Sequence, residues 1–288
     1  MNKVLKKIVS ATLALGCIVG CAATFTGCTT SHPEAKITIE FNGKTYALEY
    51  KMYRKITPTT VNHFITLAEN GYFDGLCVHD YTGTRMYTGG YTYDETKDDL
   101  IVYKPYFETV AAYKSFSHSV WKDDSQENPT YTLYGEFSKN NFRVQNGSLK
   151  DGFGSLTMYY EDKGTCEDFV TVKRSDGNKY SSKEYKYNSA TSLFYINLST
   201  SSSTNSQYCT FAELDGDSKE TLESLQNAID EYIEDTFGTE EGASSEFIES
   251  VTVDVCEDDP YVGDSALVAT YEVPVEPIVI KSVKITKY

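Results

Sequence analysis

The chain has 288 residues, 40% of them hydrophobic, enough for one sizeable core or two small ones. Its 24 Tyr and 14 Phe, alongside frequent Val, Ile and Thr, favour a sheet-rich fold. A formal net charge of −16 argues against nucleic acid as a partner, because phosphates would be repelled, and suits a dispersed, soluble surface.

Lys3, Lys6 and Lys7 precede an apolar run over 8–20, and small residues then precede Cys17, Cys21 and Cys28. A basic start, an apolar stretch and a small residue before a cut describe an export signal over 1–27. Cys after Gly resembles the bacterial lipoprotein signal, in which that Cys is lipidated and becomes the mature N-terminus. Cys28 opens into polar CTTSHPEAK and is the better tether, over 28–35; Cys21 gives the more usual apolar length. Removing the signal takes three Lys and no acid, so the mature chain is more negative still.

KITIEF (36–41) and KTYALEYKMY (44–53) alternate around Asn42-Gly43, a hairpin signal. From Pro58 the period changes: Val61, Phe64, Ile65, Leu67 and Ala68 form a helical stripe that Asn70-Gly71 closes. CVHDY and RMYTGG read as two strands around a turn at 82–84. Residues 91–127 have no period and read as an insertion. TYTLYGEF (130–137), GSLTMYY (154–160), SLFYINLS (192–199) and QYCTFAEL (207–214) read as strands, with a second insertion over 161–187. Asp217 and Glu220 form a capping box ahead of Leu222, Leu225, Ile229 and Ile233. An acidic segment over 234–249 reads as mobile, and VTVDV, ALVATYEV and PIVIKSVKIT end the chain as strands. This order is mainly β: a closed antiparallel barrel with two capping α-helices and long loop insertions.

Cys77, Cys166, Cys209 and Cys256 lack CxxC spacing; four Cys allow three pairings, and buried unpaired thiols are the plainer reading. His32, His63, His79 and His118 show no metal-ligand spacing, so no metal or other cofactor is expected.

Four pieces, in order, resemble the cyclophilin-type peptidyl-prolyl isomerases: PTTVNHFITLAENGYFDGLCVHDYTGTRMYTGG (58–90), NPTYTLYGEFSKNNF (128–142), LKDGFGSLTM (149–158) and NSATSLFYINL…QYCTFAEL (188–214). The ending PIVIKSVKI matches as well. The resemblance implies a cyclophilin-like barrel over 36–288. It also implies prolyl-isomerase activity, which the lipoprotein-like start would place in the folding of exported proteins at the outer face of a bacterial cell membrane. The partners would be proline-containing segments of exported proteins and the membrane through the lipid anchor, with the protein a monomer.

Prolyl isomerisation breaks no bond; its barrier is amide resonance, about 18–20 kcal/mol. In the family an Arg donates to the prolyl nitrogen, and Phe, Met and a second Phe line the pocket. Here Asp80 stands at that Arg position, and an ionised carboxylate has no proton to donate. Val78 replaces the strand's Phe, His79 matches, Arg85 replaces the pocket Phe, Met86 matches, and Thr88 replaces a Gln. Tyr159 and Tyr160 stand for Ala-Asn. Leu193 replaces a second Gln, Phe194 is retained, Tyr195 replaces the second pocket Phe, and Tyr208 stands where the family has His or Tyr. Ser203 and Thr204 replace the pocket wall.

Three readings of Asp80 compete. The chemistry is lost while the barrel persists. Alternatively, Arg85 supplies the guanidinium and Asp80 orients it as a bidentate partner. A His79–Asp80 pair is disfavoured because neighbours in a strand point to opposite faces. The matching functions are a weakened or inactive isomerase and a non-catalytic module that binds peptides in the same groove.

Overall fold

The structure, a computed structural model, describes residues 30–113, 116–140, 149–159, 169–173, 180–184, 191–239, 242–254 and 268–288. The expected signal, Cys21, Cys28, Tyr160, Cys166 and Cys256 lie outside them.

Eight antiparallel strands close the barrel. β1 (Glu34–Phe41) and β2 (Lys44–Met52) form the first hairpin. Its turn residues Asn42 and Gly43 have φ of 43° and 70°, the left-handed pair such a tight turn requires. β1 alternates strictly between buried and half-buried residues, so Ala35, Ile37, Ile39 and Phe41 enter the core. α1 (Pro58–Glu69) follows, with Pro58 in its first turn. Next come β3 (Leu76–Tyr81), β4 (Arg85–Tyr93), β5 (Ile101–Tyr103), α2 (Tyr106–Ala111) and β6 (Val120–Trp121). After these stand β7 (Leu156–Met158), β8 (Phe169–Lys173), β9 (Tyr180–Glu184), β10 (Phe194–Asn197) and β11 (Cys209–Leu214). α3 (Lys219–Phe237), α4 (Ala243–Glu246), β12 (Ile248–Asp254), β13 (Val268–Pro274) and β14 (Val279–Lys287) complete the order.

The ring runs β10-β7-β11-β2-β1-β14-β3-β4, and β4 closes it by pairing with β10. Besides β3, β4 has two partners: residues 85–88 pair with β10 and residues 91–93 with β5. Gly89 sits at the changeover with φ +102°, where a Cβ would lie 2.2 Å from the Ser192 carbonyl oxygen. The same closeness lets Ser192 Oγ donate to the Gly89 carbonyl at 2.6 Å. The second residue of the Gly-Gly pair, Gly90, faces Leu193.

Inside, Phe64 of α1 packs against Phe73, Phe194 and Phe211. α3 turns Leu222, Leu225 and Ile229 inward. The expected mainly-β barrel with two packed helices is therefore the observed architecture. Cys77 and Cys209 are buried free thiols.

Four local expectations fail. TYTLYGEF is not a strand; it is an irregular buried run in which Tyr131 has φ 57°. The capping box is not used: Asp215 accepts the Asp217 amide, and Ser218 Oγ accepts the Glu49 amide of β2. The insertions are not mere loops, because β6 from the first joins β8 and β9 from the second in one sheet, order β6-β8-β9. Nor is the segment after α3 loose in its described residues. α3 runs to Phe237, α4 follows, and Phe247 is fully buried against Phe41, Tyr81 and Tyr232.

Candidate functional site

The site expected from the sequence lies where β3, β4, β7 and β10 adjoin. Strand alternation divides its residues into two sets. Val78, Met86 and Phe194 point into the barrel and belong to its core. Thr88 is buried as well, its Oγ1 donating to the Cys77 carbonyl at 2.7 Å. These four hold strands together. Leu193 is half-buried, its carbonyl accepting the Tyr159 amide at 3.1 Å.

The other set, Arg85, Tyr159, Tyr195 and Tyr208, gathers outside the barrel. Tyr87 joins it, two residues from Arg85 on the same face of β4. Tyr87 contacts Tyr159 and Tyr195 with ring centroids 5.0 and 5.1 Å apart, and Tyr208 closes on Tyr159 at 6.1 Å and on Tyr195 at 6.5 Å. Tyr195 is 0% exposed and Tyr159 6%, so these rings form a packed floor. Ser203 and Thr204 are exposed at its margin.

Arg85 lies over that floor. Its guanidinium carbon stands 4.8 Å from the Tyr195 ring centroid, and one terminal nitrogen donates to Tyr87 Oη at 3.2 Å. The other stands 3.8 Å from Asp151 Oδ2. The side chain is 38% exposed. A guanidinium has five N–H donors, so it retains capacity for a carbonyl or carboxylate from outside.

Asp151 is the group the sequence reading missed. Its buried carboxylate accepts from Tyr195 Oη at 2.5 Å, Asn197 Nδ2 at 2.6 Å, and Ser155 Oγ and Asn205 Nδ2 at 3.3 Å. Burial, reinforced by Asp151, pushes the Tyr195 phenol far above its ordinary value, so it stays a donor. Asp151 lies within LKDGFGSLTM, where the sequence reading assigns it no role. The available signal was Asn197, a polar residue inside an apolar strand that needs a buried partner. Tyr87 was legible from the two-residue period.

The proposed Arg85–Asp80 pairing does not stand. Asp80 Oδ1 accepts the Glu272 backbone amide of β13 at 3.1 Å, while the carboxylate paired with Arg85 among the described residues is Asp151. The physical reason is the β12–β13 ribbon, which packs along β3 and supplies an amide within reach of Asp80. His79 is not part of a dyad either. It is fully buried, Nε2 stands 3.2 Å from Tyr159 Oη, and Nδ1 has no hydrogen-bond partner. Tyr91 and Tyr271 pack on its ring at 4.8 and 4.7 Å, and burial holds its pKa down to about 3. Among the described residues, no group of three or more His, Cys, Asp or Glu side chains is placed to hold a metal ion.

The family model for cyclophilin type peptidyl-prolyl cis-trans isomerase/CLD matches residues 36–253. Among solved structures, a Cryptosporidium parvum cyclophilin type peptidyl-prolyl cis-trans isomerase is similar at 16% identity and a TM-score of 0.42, covering 89% of this chain and 99% of that one. The same protein solved in the presence of the dipeptide ala-pro is similar at 16% identity and a TM-score of 0.41, covering 88% and 99%. No curated protein matches. The strand β14 lies beyond the matched range, yet pairs with β1 and β3 to complete the barrel.

Proposed function

The chain belongs to the cyclophilin-type peptidyl-prolyl cis-trans isomerase family, and from that premise we propose that it holds extended, proline-containing segments of exported proteins without isomerising them. It would do so at the outer face of a bacterial cell membrane, anchored through lipid on Cys28 or Cys21. The observation that carries this reading is the state of Asp80. The family's donor position holds an acceptor, and that acceptor is engaged by the Glu272 amide. Loss of a preorganised donor typically costs about 10²–10³ in rate.

A second loss points the same way. A proline ring needs an apolar concavity, but Arg85 and Tyr195 stand at two of the three positions that line it in the family, and Tyr195 is packed against Tyr159, which stands at the family's Ala-Asn. What faces outward is Arg85 on a tyrosine floor. Such a floor offers amphipathic contact area, and the guanidinium offers donors to the carbonyls of an extended segment.

One observation favours a weak isomerase instead: the spare Arg85 donors, held 4.8 Å from the Tyr195 ring centroid. Two measurements separate the readings. Fluorescence anisotropy with a labelled proline-containing peptide should show saturable binding that Arg85→Ala weakens about tenfold. A protease-coupled prolyl-peptide assay should show no turnover. Turnover abolished by Arg85→Ala would favour the second reading, and failure to bind any extended peptide would overturn the first.

A further inference from the structure

Among the described residues, β12 and β13 pair with each other and with no other strand, outside the barrel sheet. An isolated two-stranded ribbon is marginally stable in water, so this one depends on what it docks against. Its two faces differ. Val251, Tyr271 and Val273 are buried against Cys77, Tyr91 and Ile101 in a small cluster of their own. Away from that face, Ser250 Oγ donates to Glu272 Oε1, and the Thr252 and Thr270 hydroxyls stand 3.2 Å apart.

Both ends of the ribbon are fixed in the main core, by Phe247 before β12 and Ile278 after β13. Between them, polar contacts among the described residues hold it down. Asp80 Oδ1 accepts the Glu272 amide, and Tyr93 Oη donates to the Val275 carbonyl at 2.7 Å.

We infer that the β12–β13 ribbon is a strap over the outer face of β3 and β4, tethered by Asp80, that comes away from β3 while the barrel stays folded. Lifted, it uncovers His79, Cys77 and the Asp80 carboxylate at the end of the tyrosine floor. Docked, it occupies the flank along which an extended segment would run past β3. Access to that flank is then governed by the chain itself. This holds whether or not the floor binds peptides, since the strap is defined by its own contacts.

Cys77 is a built-in reporter. It is fully buried beneath Tyr271 and Val273, and burial pushes its thiol up to about 12, so it reacts only when uncovered. Cys209 is the internal control. It is buried in the main core, its Sγ 3.4 Å from Thr60 Oγ1.

The test is alkylation of the intact folded protein by iodoacetamide, resolved by site with peptide mass spectrometry. Asp80→Ala and Tyr271→Ala should each raise the Cys77 rate at least about tenfold and leave Cys209 unchanged. Asp80→Asn keeps an oxygen acceptor for the Glu272 amide and should stay within about threefold of the unaltered protein. An unchanged Cys77 rate in both disruptive variants overturns the inference. So does a parallel rise at Cys77 and Cys209, which would mean that only global opening exposes the site. A rise in Tyr271→Ala alone removes Asp80 as the tether and overturns the inference as stated.

Discussion

An imidazole enclosed by tyrosine rings has no water to stabilise a positive charge, and His79 is accordingly held neutral in the fold. His63, hydrogen-bonded to the Thr191 carbonyl, is also depressed by burial, to about 4. For both, the unfolded chain takes up a proton near pH 6.5 that the folded chain refuses until much lower. Their contribution is therefore fully present above pH 6.5 and is lost as pH falls towards 4 and 3. Each histidine should remove about 2 kcal/mol between pH 6.5 and 5. Glu136, whose carboxyl burial raises against the opposing bonds from Thr60 and Thr59, acts in the opposite sense, gaining stability as pH falls through its raised pKa. Urea denaturation at the two pH values should show His79→Phe losing one histidine's share of the slope; equal slopes would contradict the assignment. At this scale the sequence reading identified Asp80 as the break in the chemistry. It did not identify Asp151, 66 positions from Arg85, because no local pattern announces which acid a folded strand will meet.

α1 has no side-chain cap of its own, since Thr57 makes none. Its first amides are served from a distance. The Glu136 carboxylate accepts from the Thr59 amide at 3.2 Å, the Thr60 amide at 2.8 Å and Thr60 Oγ1 at 2.9 Å. This explains why the GEF segment is buried yet irregular: it supplies a cap, not a ladder. Its alternation of aromatic and polar residues satisfied the strand pattern, and the pattern alone does not reveal whether a partner strand exists. Glu136→Ala should cost about 2 kcal/mol in chemical denaturation, and Glu136→Gln less because one carbonyl acceptor remains. At the β4–β10 seam, Gly89→Ala would meet both the Ser192 carbonyl and an unfavourable φ. It should lower stability by at least about 2 kcal/mol, whereas an alanine at Gly43, with open space around it, should cost only about 1 kcal/mol in backbone strain. The first hairpin and the bounds of α1 were legible because turn residues and periodicity are local. β6, only two residues long, was not.

The molecule as a whole is a barrel to which two insertions and a ribbon have been added. The barrel order was legible from strand count, two amphipathic helices and the four family-like segments in register. The sheet β6-β8-β9 was not, because it joins the two insertions across a long sequence separation, as Val120 pairs with Val172. The proposed lipid anchor is testable at this scale: Cys28→Ser should move the protein from the membrane fraction to the soluble exported fraction, whereas unchanged fractionation would shift the anchor to Cys21. The central claim is that the barrel persists while prolyl turnover has been lost. The most direct measurement is the protease-coupled prolyl-peptide assay on purified full-length protein. The account predicts relaxation at the uncatalysed rate, over tens of seconds or more, across a wide range of protein concentrations. Acceleration proportional to protein concentration would contradict it.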